Sequence, residues 1–392
     1  MQKNQRTVKP KRMIVPAAAL LAAALLATGC GQKAAQSESG AETMSAADSE
    51  VKMTVRPSYA YQSDEADSNG LRHFKDAAGR EVNVKKELTK VAVLSTDAQS
   101  YLYMIAPEKL VSVWHNPRDE EYVDSAYVNL PAIGNGKASE QKATLLSYQP
   151  EVIIYMSDGN EKETGTGVMA EKLQNDFGVP VVEIDSSFAG QANAFRMLGD
   201  LLGKRERGEE IANYMDRVYQ CVAAVAAQDK KKLKRVVCFH GAAGNEVLPR
   251  SAKVSEVIDL LADNVAVIEG TEAQQRGGSM ILEAADVKKL NPDAILTDTD
   301  SLLRQMDSDS RWQEIPAVKA ALVYRIPARP RTWLLTPAQY PLGAVWLANT
   351  LYPEQAKLDL ETEVRQYFKV CYGKDLSAEE YEKLFRPKRN EH

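Results

Sequence analysis

Apolar and polar positions alternate along this chain in blocks that come twice. "YQPEVIIYMSD" (Tyr148–Asp158) is echoed by "LNPDAILTDTD" (Leu290–Asp300), each a proline, an acidic residue, a short apolar run and a polar stretch ending in aspartate. "KVAVLST" (Lys90–Thr96) has a counterpart in "RVVCFHG" (Arg235–Gly241), and "KLVSVWHN" (Lys109–Asn116) in "NVAVIEG" (Asn264–Gly270). "VPVVEIDS" (Val179–Ser186) corresponds to "ALVYRIPA" (Ala321–Ala328), and the order of the segments is the same in both halves. Such short, unbroken, often β-branched runs suit strands buried on both faces of a parallel sheet. Helical patterns fill the gaps: "SYLYMIAPEKL" before the second strand, "KVSEVIDLLADN" in the matching slot, and "AEKLQNDFGVP" with Gly178 placed to end its helix. Strand–helix alternation of this kind builds βαβ units. Between the halves, Ile211, Met215, Val218, Val222 and Val225 recur at intervals of four and three, one face of a single long helix, and Gly203 separates it from the helix before. The expected fold is α/β: two similar Rossmann-like lobes with parallel sheets, at about 71–187 and 233–392, joined through connecting helices at 188–232. Ligands of open α/β sheets bind beyond the carboxyl ends of the strands, so a ligand cleft is expected between the lobes. One stiff helical link allows only small rocking motions.

The ends change the picture. Lys3, Arg6, Lys9, Lys11 and Arg12 precede an uncharged stretch from Met13 to Cys30, the layout of a secretory signal over residues 1–29. Its close, "LATGC", resembles the lipobox of bacterial lipoproteins, with Ala27 where leucine is usual. That resemblance implies a diacylglycerol on the Cys30 thiol and attachment to the membrane outside the cytoplasm. Several acyl chains, at about 0.8 kcal/mol per buried CH₂, make a stable anchor. From Cys30 to about residue 70 the chain is rich in Ala, Ser, Glu, Gln and Asp and reads as a flexible tether. The whole chain carries −5, and five of its positive charges lie in the leader, so the remainder is more acidic still. That argues against nucleic acid as a partner. Cys221, Cys238 and Cys371 are widely spaced and suit buried thiols better than a disulfide framework.

Leader, tether, duplicated lobes and one long helix together resemble the substrate-binding lipoproteins of bacterial ABC importers, in particular the group that binds ferric siderophores, haem and cobalamin. "FKDAAGREVNV" (Phe74–Val84) resembles that group's opening hairpin, and the two proline-led strands resemble its paired motifs. "RWQEIPAVKAALVYRIP" followed by "YPLGAVWLANTLYPE" resembles its C-terminal signature. The resemblance implies a monomer that captures a small-molecule metal chelate, a ferric siderophore first and haem or cobalamin next, and delivers it to an importer permease. It implies no catalysis and no cofactor of the protein's own. Members usually offer one surface glutamate per lobe to the permease, but those positions here are Ala143 and Ala285. Glu140 and Glu283 lie close enough to substitute, as does Asp286.

Cleft candidates are the residues just past strand ends: Thr96, Trp114, His115, Asn116, Arg118 and Asp158 in the first lobe, and His240, Arg250, Arg276, Asp300, Arg329, Arg331 and Trp333 in the second. Trp114 and Trp333 could each stack on a flat chelate or cap the core. "RIPARPRTW" gathers Arg325, Arg329 and Arg331 near Trp333, and guanidinium clusters suit anionic chelates. Four histidines, two of them at the edges of the folded part, argue against capture of a bare metal ion. Two other readings stand beside this one. A lipoprotein of the same fold could sense or adhere. "TGTGVMA" holds a G-x-G-x-x-A (Gly165, Gly167, Ala170) with Asp185 beyond, as a dinucleotide-binding enzyme would have, although its strand ends well before it.

Overall fold

The computed structural model describes residues 58–116, 122, 127, 129–134, 138–156 (backbone only at 138–140), 167–227, 233–267 and 280–386. An antiparallel hairpin, β1 (Leu71–Lys75) and β2 (Glu81–Lys85), opens the first lobe. The lobe then runs through β3 (Val91–Val93), α1 (Thr96–Ile105), α2 (Ala138–Ser147), β4 (Val152–Met156), α3 (Val168–Phe177) and β5 (Val181–Ile184). Strands β3, β4 and β5 lie side by side in that order, all parallel. Two helices follow, α4 (Gln191–Leu201) and the 23-residue α5 (Arg205–Ala227).

The second lobe holds β6 (Arg235–His240), β7 (Glu246–Val247), α6 (Glu256–Leu261), β8 (Asp263–Asn264), β9 (Met280–Ile281), α7 (Ala284–Leu290), β10 (Ala294–Thr297), α8 (Asp300–Ser308), α9 (Pro316–Lys319) and β11 (Val323–Arg325). It ends in α10 (Tyr340–Leu351), α11 (Leu360–Tyr372) and α12 (Ala378–Leu384). Its parallel order β8–β6–β10–β11 repeats that of the first lobe, where residue 110 bridges β3 just as β8 pairs with β6. The first-lobe counterpart of β8 forms only isolated bridges, Val91 to Leu110 and Val113 to Ala132. The short antiparallel pair β7–β9 has no antecedent in the sequence pattern.

Strands β3, β4, β5, β6 and β10 are buried on both faces over most of their length, and the period of two sorts their side chains between cores. Val91, Val93, Val152, Ile154, Val182 and Ile184 face one core, whereas Ala92, Ile153 and Val181 face another. In the second lobe Val236, Cys238, Ala294 and Leu296 join the first of these, and Val237, Phe239 and Ile295 pack into a third. The central core therefore runs unbroken through both lobes. The expected stripe of α5 (Ile211, Met215, Val218, Val222 and Val225) lies buried in it. Helix α11 ties back to α5: Arg217 donates to both Glu363 carboxylate oxygens at 2.7 and 2.8 Å.

Residues 58–64, expected within the tether, are docked. Asp200 accepts from Tyr59 Oη at 2.8 Å, Gln62 N at 2.9 Å, Arg72 at 2.8 Å and Arg205 at 2.7 Å. Arg72 and Asp200 are buried together, which fastens this segment and the hairpin to the α4–α5 corner. Among the described residues the three cysteines form no disulfide, and burial raises the Cys238 and Cys371 thiols so that they stay protonated. No described helix is long and apolar enough to cross a membrane.

Candidate functional site

At the carboxyl end of β3 the chain turns directly into α1. Ser95 caps that helix, its Oγ accepting the Ala98 N–H at 3.1 Å, so Thr96 and Asp97 form the first turn at the rim of the sheet. The neighbouring segment carries Trp114 and His115. Its ladder consists of Val113 N to Pro131 O at 3.0 Å, Ile133 N to Val113 O at 2.9 Å and Gly134 N to Trp114 O at 2.7 Å. Gly134 lies against the Trp114 indole, where a Cβ would stand 3.0 Å from the ring. Trp114 is thus packed on one side and partly exposed. Gln99, fully buried in α1, bonds the backbone of both Trp114 and His115.

From the second lobe comes the loop after β11. Ile326 N donates to Thr297 O at 2.7 Å, and the loop then folds over Trp333, whose backbone N donates to Pro327 O at 3.0 Å and whose Nε1 donates to Arg329 O at 2.7 Å. The Arg329–Pro330 peptide is cis. Trp333 is 0 % exposed, edge-on to Phe385 at 5.4 Å, and a Cβ on Gly343 would lie 2.4 Å from its carbonyl oxygen. Trp333 is therefore the post that shapes the arginine loop, and its stacking on a ligand, one of its two expected roles, is excluded by burial.

The loop carries Arg331 across to the first lobe. There its guanidinium meets His115 Nε2, while His115 Nδ1 lies 3.4 Å from Thr96 Oγ1. A guanidinium can only donate, so Nε2 accepts and the ring proton is assigned to Nδ1, facing the threonine hydroxyl. Arg331 and Lys253 also act on the Asp97 carboxyl: burial pushes it up to about 6, against the opposing pull of those two charges. Thr96, His115 and Arg331 therefore form one polar cluster that joins the lobes beyond the carboxyl ends of β3 and β11. Arg329 is partly buried in the same loop. Asp97, Gln99 and Lys253 were not singled out from the sequence.

Other expected site residues fall elsewhere. Arg325 donates to Asp300 Oδ1 at 2.7 Å, so these two rim candidates bind each other. His240 ends β6 opposite Glu246. Arg250 pairs with Asp263 and donates to Asn264 O at 2.7 Å. Residues 263 and 264 lie beside 235 and 236, the first residues of β6, which puts this guanidinium at the opening end of the strand and not beyond its carboxyl end. Arg250 is therefore removed from the cleft set. Cys30, Arg118, Asp158, Gly165 and Arg276 lie outside the described residues. Gly167 opens α3 with φ of 87°, well separated from Met156 at the end of β4, so it is no part of a tight strand-to-helix turn. Glu283 is exposed and caps α7 through a reciprocal bond with Asp286. Glu140 lies in α2, with its side chain outside the described set, and Ala143 and Ala285 are exposed. Among the described residues no three His, Cys, Asp or Glu converge as a metal site.

Comparison with known proteins shows what the chain as a whole is similar to. The profile described as "periplasmic binding protein" matches residues 91–330, well over half of the chain. An uncharacterised ABC transporter substrate-binding lipoprotein, YvrC of Bacillus subtilis, is 24 % identical over 87 % of this chain and 97 % of its own length. An ABC transporter solute-binding protein from Sulfurospirillum deleyianum superposes with a TM-score of 0.68 at 19 % identity, over 80 % of this chain and 99 % of that one. The molybdate-binding protein MolA of Haemophilus influenzae is 32 % identical over 91 residues, covering 22 % of this chain and 26 % of its own. Its structure with molybdate superposes at a TM-score of 0.60 over 78 % of this chain and 99 % of its own, at 18 % identity.

Proposed function

The chain belongs to the periplasmic binding protein family, and on that premise we propose that it captures an anionic metal chelate, a ferric siderophore before haem or cobalamin, for an ABC importer. The coarse part of this reading, a solute-binding protein of an ABC transporter, follows from the family and from its full-length relatives. The single observation that carries the finer part is the meeting of Arg331 and His115 across the lobes, next to Thr96. A fixed guanidinium beside an imidazole and a hydroxyl offers directed donors to carboxylate or catecholate oxygens. Trp114 adds a partly exposed aromatic face at the same edge. An anion arriving there takes up the Arg331 donors that are otherwise directed at His115. In this reading Cys30 holds the protein to the membrane outside the cytoplasm, and Glu140 and Glu283 meet the permease in place of the usual glutamates.

A second reading has one specific observation behind it. The stretch shared with a molybdate-binding protein is 32 % identical over 91 residues, and a small tetrahedral oxyanion would also suit Arg331, His115 and Thr96. One experiment separates the two. The full-length protein is heated alone and with ferric tris-catecholate, haem, cobalamin or molybdate. A ligand at about a thousandfold its Kd adds roughly 4 kcal/mol of stability. The ferric catecholate is expected to raise the melting temperature of the wild type. Arg331→Ala should weaken that binding at least about tenfold, since a charge-assisted hydrogen bond contributes about 1.5–3 kcal/mol. Stabilisation by molybdate and by none of the chelates would replace the chelate with the oxyanion. A protein that none of the four stabilises would sink both.

A further inference from the structure

Gln99 is a polar side chain with 0 % exposure, one turn inside α1, and it is not itself one of the expected ligand-binding residues. Three of its four bonds go to the cleft segment. Its Oε1 accepts from Trp114 N at 2.6 Å and from His115 N at 3.1 Å. Its Nε2 donates to His115 O at 3.0 Å and to Tyr103 Oη at 3.0 Å. Two backbone N–H groups on one side and a carbonyl on the other fix which end of the amide is which.

The backbone there needs such a partner. The first-lobe ladder stops at the Val113–Ala132 bridge, and beyond it only the Trp114 carbonyl is taken by Gly134. The N–H groups of Trp114 and His115 and the His115 carbonyl are bonded by Gln99, in place of a neighbouring strand. Buried backbone groups are costly to leave unpaired, so a leucine of similar size would fill the space and still release this turn.

We propose that Gln99 is a positioning residue of the cleft: it clamps the Trp114–His115 backbone so that the imidazole meets Arg331 and the indole lies on Gly134. Ligand affinity therefore depends on a side chain that never contacts the ligand. This role rests on the cleft being the binding site.

The test uses the full-length protein, Gln99→Leu and Gln99→Glu, with two readouts. The first is acrylamide quenching of tryptophan fluorescence, which requires no ligand. Trp312, Trp333 and Trp346 are at most 8 % exposed, so the quenchable signal belongs chiefly to Trp114, and Trp114→Phe supplies the background. The second is affinity for ferric tris-catecholate. Gln99→Leu should change the quenching constant assigned to Trp114 by roughly twofold and weaken the chelate about tenfold or more, because three backbone bonds are lost. Ionised Gln99→Glu accepts both N–H groups but cannot donate to the His115 carbonyl. Protonated, it regains a donor, and burial favours that form. Its affinity relative to wild type at the same pH should therefore recover on acidification, which a general loss of stability would not produce. Unchanged Trp114 quenching in Gln99→Leu overturns the proposal, as does a pH-independent deficit in Gln99→Glu. Failure of the wild type to bind ferric tris-catecholate counts against the chelate reading alone, and the quenching arm still decides for Gln99.

Discussion

Asp97 and Asp200 are aspartates of one protein driven in opposite directions by their surroundings. At Asp200 burial alone would raise the carboxyl, but the bonds from Gln62 N, Arg205, Tyr59 and Arg72 outweigh it and hold it below the ordinary range. At Asp97 burial dominates, and Arg331 and Lys253 recover only part of its cost, leaving the group at about 6. A carboxyl raised in the folded state keeps a proton that the unfolded chain gives up near pH 4. Its contribution to stability is therefore whole below about pH 4 and is lost as the pH rises through about 6. Asp97→Asn removes that dependence. Urea midpoints of variant and wild type should coincide near pH 4 and diverge up to neutral pH, with the variant more stable by at most about 3 kcal/mol. A constant difference across that range would show that the Asp97 charge is not the cause. Neither residue was legible in the sequence. In "STDAQSYLYMIA" nothing distinguishes a polar residue on a buried helix from one on a wet face, and α1 is buried over Ala98–Ile105.

Among the elements, α5 follows most directly from its pattern, since all five expected apolar positions are buried. Its contact with α4 depends on a feature that periodicity does not reveal. A Cβ on Gly208 would stand 2.7 Å from Phe195 O and 3.1 Å from the Gly199 Cα, so two glycines let the backbones touch at the corner between these helices. Helix propensity favours Ala over Gly by about 1 kcal/mol in a helix interior. Here the contact should reverse the sign. Gly208→Ala is expected to lower stability by about 1–3 kcal/mol through forced separation of the two helices, read as a drop in melting temperature. A variant as stable as the wild type, or more so, would show that the corner relaxes freely. The strands were legible for a different reason. "VIIYM" and "AILT" are apolar on both faces because both faces meet cores. The pair β7–β9 was not, because two-residue strands are too short to carry a period.

For the molecule as a whole, the unbroken core is the decisive feature. Both sheets and the long helix share one set of buried side chains from Phe74 to Leu384, larger than the cluster that either lobe keeps to itself. Calorimetry of the ligand-free protein is expected to show a single transition, with calorimetric and van't Hoff enthalpies in agreement. Two resolved transitions would mean that the lobes are independent after all. What the sequence by itself determined is the doubled strand order, the α/β class and the long connecting helix. These follow from local periodicity and from the rule that a parallel sheet buries both faces, and neither needs to know where the lobes lie. Only the tertiary structure decided which polar groups meet. Arg331 and His115 are 216 residues apart, and no local pattern relates them. Trp114 and Trp333 looked alike at their strand ends, yet one keeps a partly exposed face at the cleft and the other is a buried post. Arg250 and Arg331 also looked alike, yet β8 holds the first at the opening end of β6 while the fold over Trp333 sends the second across to the other lobe. The physical reason is the same in each case. Burial and pairing of a polar side chain depend on the rigid placement of two lobes around one core, which is a property of the whole packing and of no single segment.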